Sequence, residues 1–137
     1  KRFVTRKICK AAARIALGSD EILQLGDISI KRDWGWAPEY VEAMWMMLQQ
    51  KKAEDFVIAT GHLSSLKEFI SYAFSSLDLN WENHVTSNHV FFRPSEIRSV
   101  YGCPKKANKK LNWRAEKKMA EVAQLMSLHE FEILRNK

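Results

Sequence analysis

A chain of 137 residues with 46% apolar and 28% charged residues, and few Gly or Pro, is the size and composition of one folded domain; a disordered tail and a low-complexity filament are excluded. No apolar run approaches the roughly 18 residues of a membrane span and no secretory leader opens the chain, so a soluble, cytoplasmic protein without membrane contact is expected. The net charge of +6 sits in two clusters, 1–14 and 105–118, without zinc-finger spacing, an RNA-binding signature or a basic tail; nucleic acid is not expected as a partner, and polyanion binding stays as an alternative.

Residues 3–17 read as a helix: Ile8, Ala12 and Ile15 recur at helical spacing, and Gly18 stands where a left-handed C-terminal cap belongs. Arg6, Lys10 and Arg14 share one face of it, the pattern of a solvated stripe. Residues 22–26 and 28–33 are short strand candidates around a Gly-Asp turn. Pro38 suits the first turn of the next helix, in which only Glu42 is polar between Tyr40 and Leu48, so that helix is expected to be covered on several sides. The run DFVIATG (55–61) has the profile of a strand buried on both faces. Ser65 and Glu68 form a capping box ahead of Leu66, Phe69, Ile70, Ala73 and Phe74. A weak strand over 79–81 and a polar loop lead to VFFRPSE (90–96). Helical segments follow over 105–111 and 117–134, the second with Met119, Val122, Ala123 and Met126 as its apolar stripe.

The order of elements is α/β, helix-rich with few short strands, and 1–137 form a single region. One strand buried on both faces needs neighbours that this chain does not offer. The chain also begins inside a helical pattern without Met. We therefore expect an incomplete piece of a larger fold.

Most catalytic patterns fail on spacing. Gly18, Gly26, Gly35, Gly61 and Gly102 are too far apart for a dinucleotide-binding turn. Tyr101 and Lys105 have Tyr-x-x-x-Lys spacing, but Gly102 and Pro104 between them disfavour the helix that spacing needs. Ser64 and Lys67 match Ser-x-x-Lys without the partner motifs of an acyl enzyme. The four histidines are not at metal-ligand spacings, and Cys9 and Cys103 show no pairing pattern, so neither a metal site nor a catalytic cysteine is expected. What remains is a pair of arginines on stiff, aromatic-flanked backbone: Arg32 before Asp33-Trp34, and Arg93 after Phe91-Phe92 and before Pro94. A guanidinium fork suits phosphate oxygens, while an ion pair with Asp33, Glu39 or Glu96 is the structural alternative; Lys7, early in its helix, could likewise meet a phosphate or water.

FVTRKI (3–8), LGD with KRDWGWAPEYVEAMWMMLQQ (25–50), EDFVIATG with SLKEF (54–69), FFRPSEI (91–97) and KKANKKLNW (105–113) resemble, in order, the C-terminal part of the GDP-mannose 4,6-dehydratase family, a group of extended short-chain dehydrogenases/reductases. The resemblance implies the substrate-binding portion of a Rossmann-type dehydratase. The NADP-binding domain and the catalytic Thr, Glu, Tyr and Lys would lie N-terminal to these residues, so the chain itself would hold no catalytic residue and bind no cofactor. The reaction implied is conversion of GDP-mannose to GDP-4-keto-6-deoxymannose and water, in a homo-oligomeric parent. By matching position, Val4 and Lys7 would line the substrate pocket, Lys7 near the diphosphate. Leu25 would pack beside guanine, Arg32 would contact the diphosphate, and Arg93 and Glu96 would hold phosphate and ribose. Trp34 and the 40–48 helix would anchor the Arg32 corner to the parent Rossmann domain. Asp27 departs from the family's Leu-Gly-Asn turn, the 81–91 loop is shorter, and YGCPKKA departs from Gly-Asp-Pro. Another nucleotide sugar, a related dehydratase or epimerase, or a non-catalytic nucleotide-diphosphate module are the alternatives.

Overall fold

The computed structural model describes residues 3–92, 95 and 97–136. Helix α1 (Val4–Ala16) buries Ile8, Cys9, Ala11, Ala12, Ala13 and Ile15. Its alanines let a second helix approach closely, and α5 (Met119–Arg135) fills that place with Met119, Val122 and Ala123. Gly18 ends α1 at φ +96°, its N–H donating to the Ile15 carbonyl at 2.9 Å and that of Ser19 to Arg14 at 3.0 Å. The cap is where the sequence places it. Helix α3 (Leu66–Ser75) starts from the predicted capping box: Glu68 accepts from the Ser65 N–H at 2.7 Å while the Ser65 hydroxyl accepts from the Glu68 N–H at 3.1 Å. Its Leu66, Phe69, Ile70, Ala73 and Phe74 complete the main core with α1, α5 and the strands.

Two small sheets stitch the loops to these helices. Strands β1 (Leu23–Leu25) and β4 (Val85–Ser87) pair in parallel, Leu23 opposite Val85. Strands β2 (Lys31–Arg32) and β3 (Ser64–Ser65) pair antiparallel, Arg32 opposite Ser64. Two-stranded ladders are marginal in water, so helix packing holds them. A second, smaller core of Ala43, Ala107, Leu111, Trp113 and Ala115 joins α2 (Ala37–Leu48) to α4 (Lys105–Lys110) and the chain after it. Among the described residues no helix is long and apolar enough to cross a membrane.

Two expectations are corrected, and a third is unmet within these residues. Residues 55–61 are not a paired strand: no ladder partner meets them among the described residues, and Val57 is 53% exposed while only Ala59 and Thr60 are buried. Propensity makes the segment extended, but a strand needs a neighbour's backbone as well. Residues 79–81 are not a strand either. Asn80 accepts from the Glu82 N–H at 3.1 Å and caps a 3₁₀ turn over Trp81–Asn83; the strand comes later, at Val85–Ser87, where buried Val85 reaches β1. Within this chain helix α2 buries Ala43 and leaves Val41, Met44, Trp45 and Leu48 exposed, so the described residues do not supply the cover expected for it.

Candidate functional site

The start of α1 runs alongside β1. Lys7 turns its ammonium onto the Gln24 carbonyl at 2.7 Å, 5.3 Å from the centre of the Phe91 ring. Val4 lies one turn earlier on the same face, half-buried against the main core. Leu25 is buried, and its carbonyl accepts from the Asn88 N–H at 2.7 Å. Gly26 is pressed against Phe91: a Cβ there would stand 2.5 Å from the Phe91 carbonyl oxygen. The structure thus brings Val4, Lys7 and Leu25 together, with Phe91 over the turn. Gln24 and Asn88, joined side chain to side chain at 3.2 Å, belong to the same rim and carry no sequence signal beyond their polarity.

Asp27 does not face outward as a free carboxylate. It accepts from the Ser29 hydroxyl at 2.6 Å and the Ser29 N–H at 2.8 Å, a turn that these two bonds stabilise while holding its pKa below the usual carboxylate range.

Arg32 lies on β2 and donates from Nη1 to the Lys31 carbonyl at 2.8 Å. Asp33 and Glu39 each accept hydrogen bonds from elsewhere in the chain: Asp33 from Thr60 and Gly61, and Glu39 from the Glu116 N–H at 3.0 Å and the Lys117 N–H at 3.2 Å. Trp34 packs on Phe69 of α3, ring centres 5.5 Å apart, which ties the corner to the main core of this chain. Gly35 leaves room for the Tyr40 ring, whose phenol is pushed up to about 12 by burial, with the charges of Asp33 and Glu39 adding to it. Arg93 and Glu96 lie outside the described residues. The nearest anchored residues described are Phe91, packed on Gly26, and Arg98, whose carbonyl accepts from the Lys31 N–H at 2.7 Å.

Cations in reach of main-chain carbonyls and an aromatic ring, beside an apolar wall, can hold a phosphorylated ligand with a flat base. The described residues do not fit a dinucleotide. The longer helices open from Phe3, Trp36, Ser65 and Lys118, none of them a glycine turn that would let backbone approach a pyrophosphate.

A family profile described as GDP-mannose 4,6 dehydratase matches residues 1–126. The chain belongs to this family. A GDP-mannose 4,6 dehydratase of Dictyostelium discoideum is 42% identical over 151 aligned residues, covering 98% of this chain and 42% of that protein. The Homo sapiens GDP-mannose 4,6 dehydratase is 39% identical, covering 97% of this chain and 40% of its own length. The chain thus spans about two-fifths of the curated relatives it matches. Among solved structures, RMD from Pseudomonas aeruginosa complexed with NADPH superposes with a TM-score of 0.83 at 19% identity, over 96% of this chain and 42% of that one. UDP-glucose 4-epimerase from Thermotoga maritima with UDP-glucose gives 0.77 at 18% identity, over 98% and 40%. These neighbours establish the fold: a helix-rich piece of an extended Rossmann-type dehydratase or epimerase. Family membership agrees with the resemblance carried by FVTRKI and KRDWGWAPEYVEAM.

Proposed function

We propose that these residues form the nucleotide-sugar-binding part of an enzyme converting GDP-mannose to GDP-4-keto-6-deoxymannose and water, and that NADP and the catalytic groups belong to the rest of the protein. The observation that carries this reading is the placement of Lys7 against Gln24, Leu25 and Phe91 in a chain whose family profile spans residues 1–126. In this reading Val4 and Lys7 line the pocket, with Lys7 and Arg32 neutralising the diphosphate. Guanine packs near Leu25, and Arg93 and Glu96 take phosphate and ribose.

The rest of the protein then covers two features. One is the apolar face of α2 with Val41, Met44, Trp45 and Leu48; the other is the extended segment around Val57, which joins no ladder among the described residues. The coverage of about two-fifths of the relatives' length, and the NADPH complex of the Pseudomonas neighbour, support a cofactor domain outside these residues.

The experiment is calorimetric titration of the full-length protein with GDP-mannose and with GDP, at low and moderate salt. Lys7→Ala and Arg32→Ala are each expected to weaken both ligands about tenfold or more, the size of one charge-assisted hydrogen bond, and to lower dehydratase activity with them. Undiminished binding in both variants overturns the assignment. Binding without turnover in the full-length protein would favour the non-catalytic module.

A further inference from the structure

The Arg-Asp-Trp-Gly corner contains a group that the binding role above leaves unused. The two oxygens of Asp33 accept three hydrogen bonds from one turn: Oδ1 from the Thr60 N–H at 2.9 Å and the Thr60 hydroxyl at 2.6 Å, and Oδ2 from the Gly61 N–H at 2.9 Å. Thr60 is buried, and its hydroxyl oxygen also accepts from the His62 N–H at 3.1 Å, so the turn is wired on both sides of Gly61. Gly61 itself sits at φ +75°, where a side chain would be strained. Three residues on, Ser64 is the register partner of Arg32.

Arg32 therefore lies between two fixed points. On one side Lys31 is held by Ser65 across the ladder and by Arg98 and Val100 through its N–H and carbonyl. On the other side Asp33 is held by the 60–62 turn. A long side chain can be aimed only if its own backbone is held, and the hydrogen bonds that tie the Asp33 side to the 60–62 turn are accepted by its carboxylate oxygens.

We propose that Asp33 is the positioning residue for Arg32: its carboxylate clamps the Thr60–Gly61 turn, fixes the β2–β3 register and aims the guanidinium at the ligand's diphosphate. This rests on the nucleotide-sugar reading above. The chemistry of the clamp is selective, because an ionised carboxylate only accepts and three donors converge on it. Asparagine has the same shape but must turn an NH₂ toward one of those donors, leaving a shielded N–H or hydroxyl unpaired.

The test is a double-mutant cycle in the full-length protein, reading dissociation constants for GDP and GMP by calorimetry in wild type, Asp33→Asn, Arg32→Ala and the double variant. Asp33→Asn is expected to weaken GDP about tenfold, with a smaller effect on GMP, and the double variant is expected to bind GDP no more weakly than Arg32→Ala alone. A purely structural role would weaken binding whether or not Arg32 is present, so independent, multiplying effects overturn the proposal; so does wild-type GDP affinity in Asp33→Asn. Should Asp33→Asn not fold, Thr60→Val removes the hydroxyl bond while keeping the shape, and a smaller loss with the same dependence on Arg32 is expected. Wild-type GDP affinity in Arg32→Ala would remove the reading of Arg32 and the proposal together. A loss in Arg32→Ala that deepens in the double variant would remove the Asp33 proposal alone.

Discussion

Individual side chains set how tightly the candidate site can be held. At Gly26 the neighbour of any added Cβ is the main chain of Phe91, which cannot swing aside as a side chain would. Gly26→Ala is therefore expected to push the 88–92 segment away from Lys7, destabilising the fold by about 1–3 kcal/mol and weakening GDP binding; chemical denaturation and calorimetry on the same variant check both. The two cysteines should differ in reactivity. Burial pushes the Cys9 thiol up to about 11, whereas Cys103 is exposed. At pH 8 a thiol reagent is expected to modify Cys103 promptly and Cys9 only on unfolding, as mass spectrometry of the labelled peptides would show. Because the folded pKa of Cys9 lies above that of an unfolded thiol, near 9, folding holds a proton that the unfolded chain releases; stability is expected to fall as pH rises from about 9 to about 11.

Elements depend on a few punctuating residues, and those are what made the helices legible. Ser65 with Glu68, Pro38 and Gly18 each act through local backbone chemistry that needs no distant partner. Ser65→Ala is expected to cost about 1 kcal/mol by removing the cap of α3. The hydrogen bonds from Ser65 depress the Glu68 carboxyl, so its contribution is complete above the ordinary Glu pKa and lost as pH falls through the lowered folded value; Glu68→Gln should flatten that part of an acid-denaturation curve. Strands β1 and β2 fall inside the expected 22–26 and 28–33, whereas β3 and β4 were illegible for the opposite reason. Val85–Ser87 is short and mostly polar, and it becomes a strand because β1 lies beside it, 62 residues away in register. DFVIATG has every mark of a strand and no partner among the described residues. The candidate site divides in the same way. Lys7, Leu25 and Arg32 could be singled out through the family resemblance, but Asp33 serves donors 27 and 28 residues away, and no local pattern reveals that.

At the scale of the whole molecule, two cores of unequal size share one chain, and the smaller is the one with an open flank. α2 contributes Ala43 to it and leaves Val41, Met44, Trp45 and Leu48 facing outward. In the 137-residue chain expressed alone, Trp45→Glu with Leu48→Glu is expected to change stability by less than about 0.5 kcal/mol while reducing self-association, measured by denaturant melts and light scattering. In the full-length protein the same pair is expected to be strongly destabilising, because that face would then be covered.

The packing of α1 on α5 also bears on how the protein is made. Glu130, almost fully buried, accepts from Arg6 at 2.9 Å across 124 residues of sequence, and lies 3.5 Å from the Lys10 ammonium. A nascent chain therefore presents the apolar face of α1 well before the surface that shelters it has been synthesised. At ordinary elongation speeds that interval is on the order of ten seconds, far longer than a helix takes to form or collapse. During translation α1 must wait, bound to a chaperone or lightly collapsed on its neighbours, and messages that slow the ribosome between the codons for Ala16 and Met119 would lengthen the period in which it can aggregate.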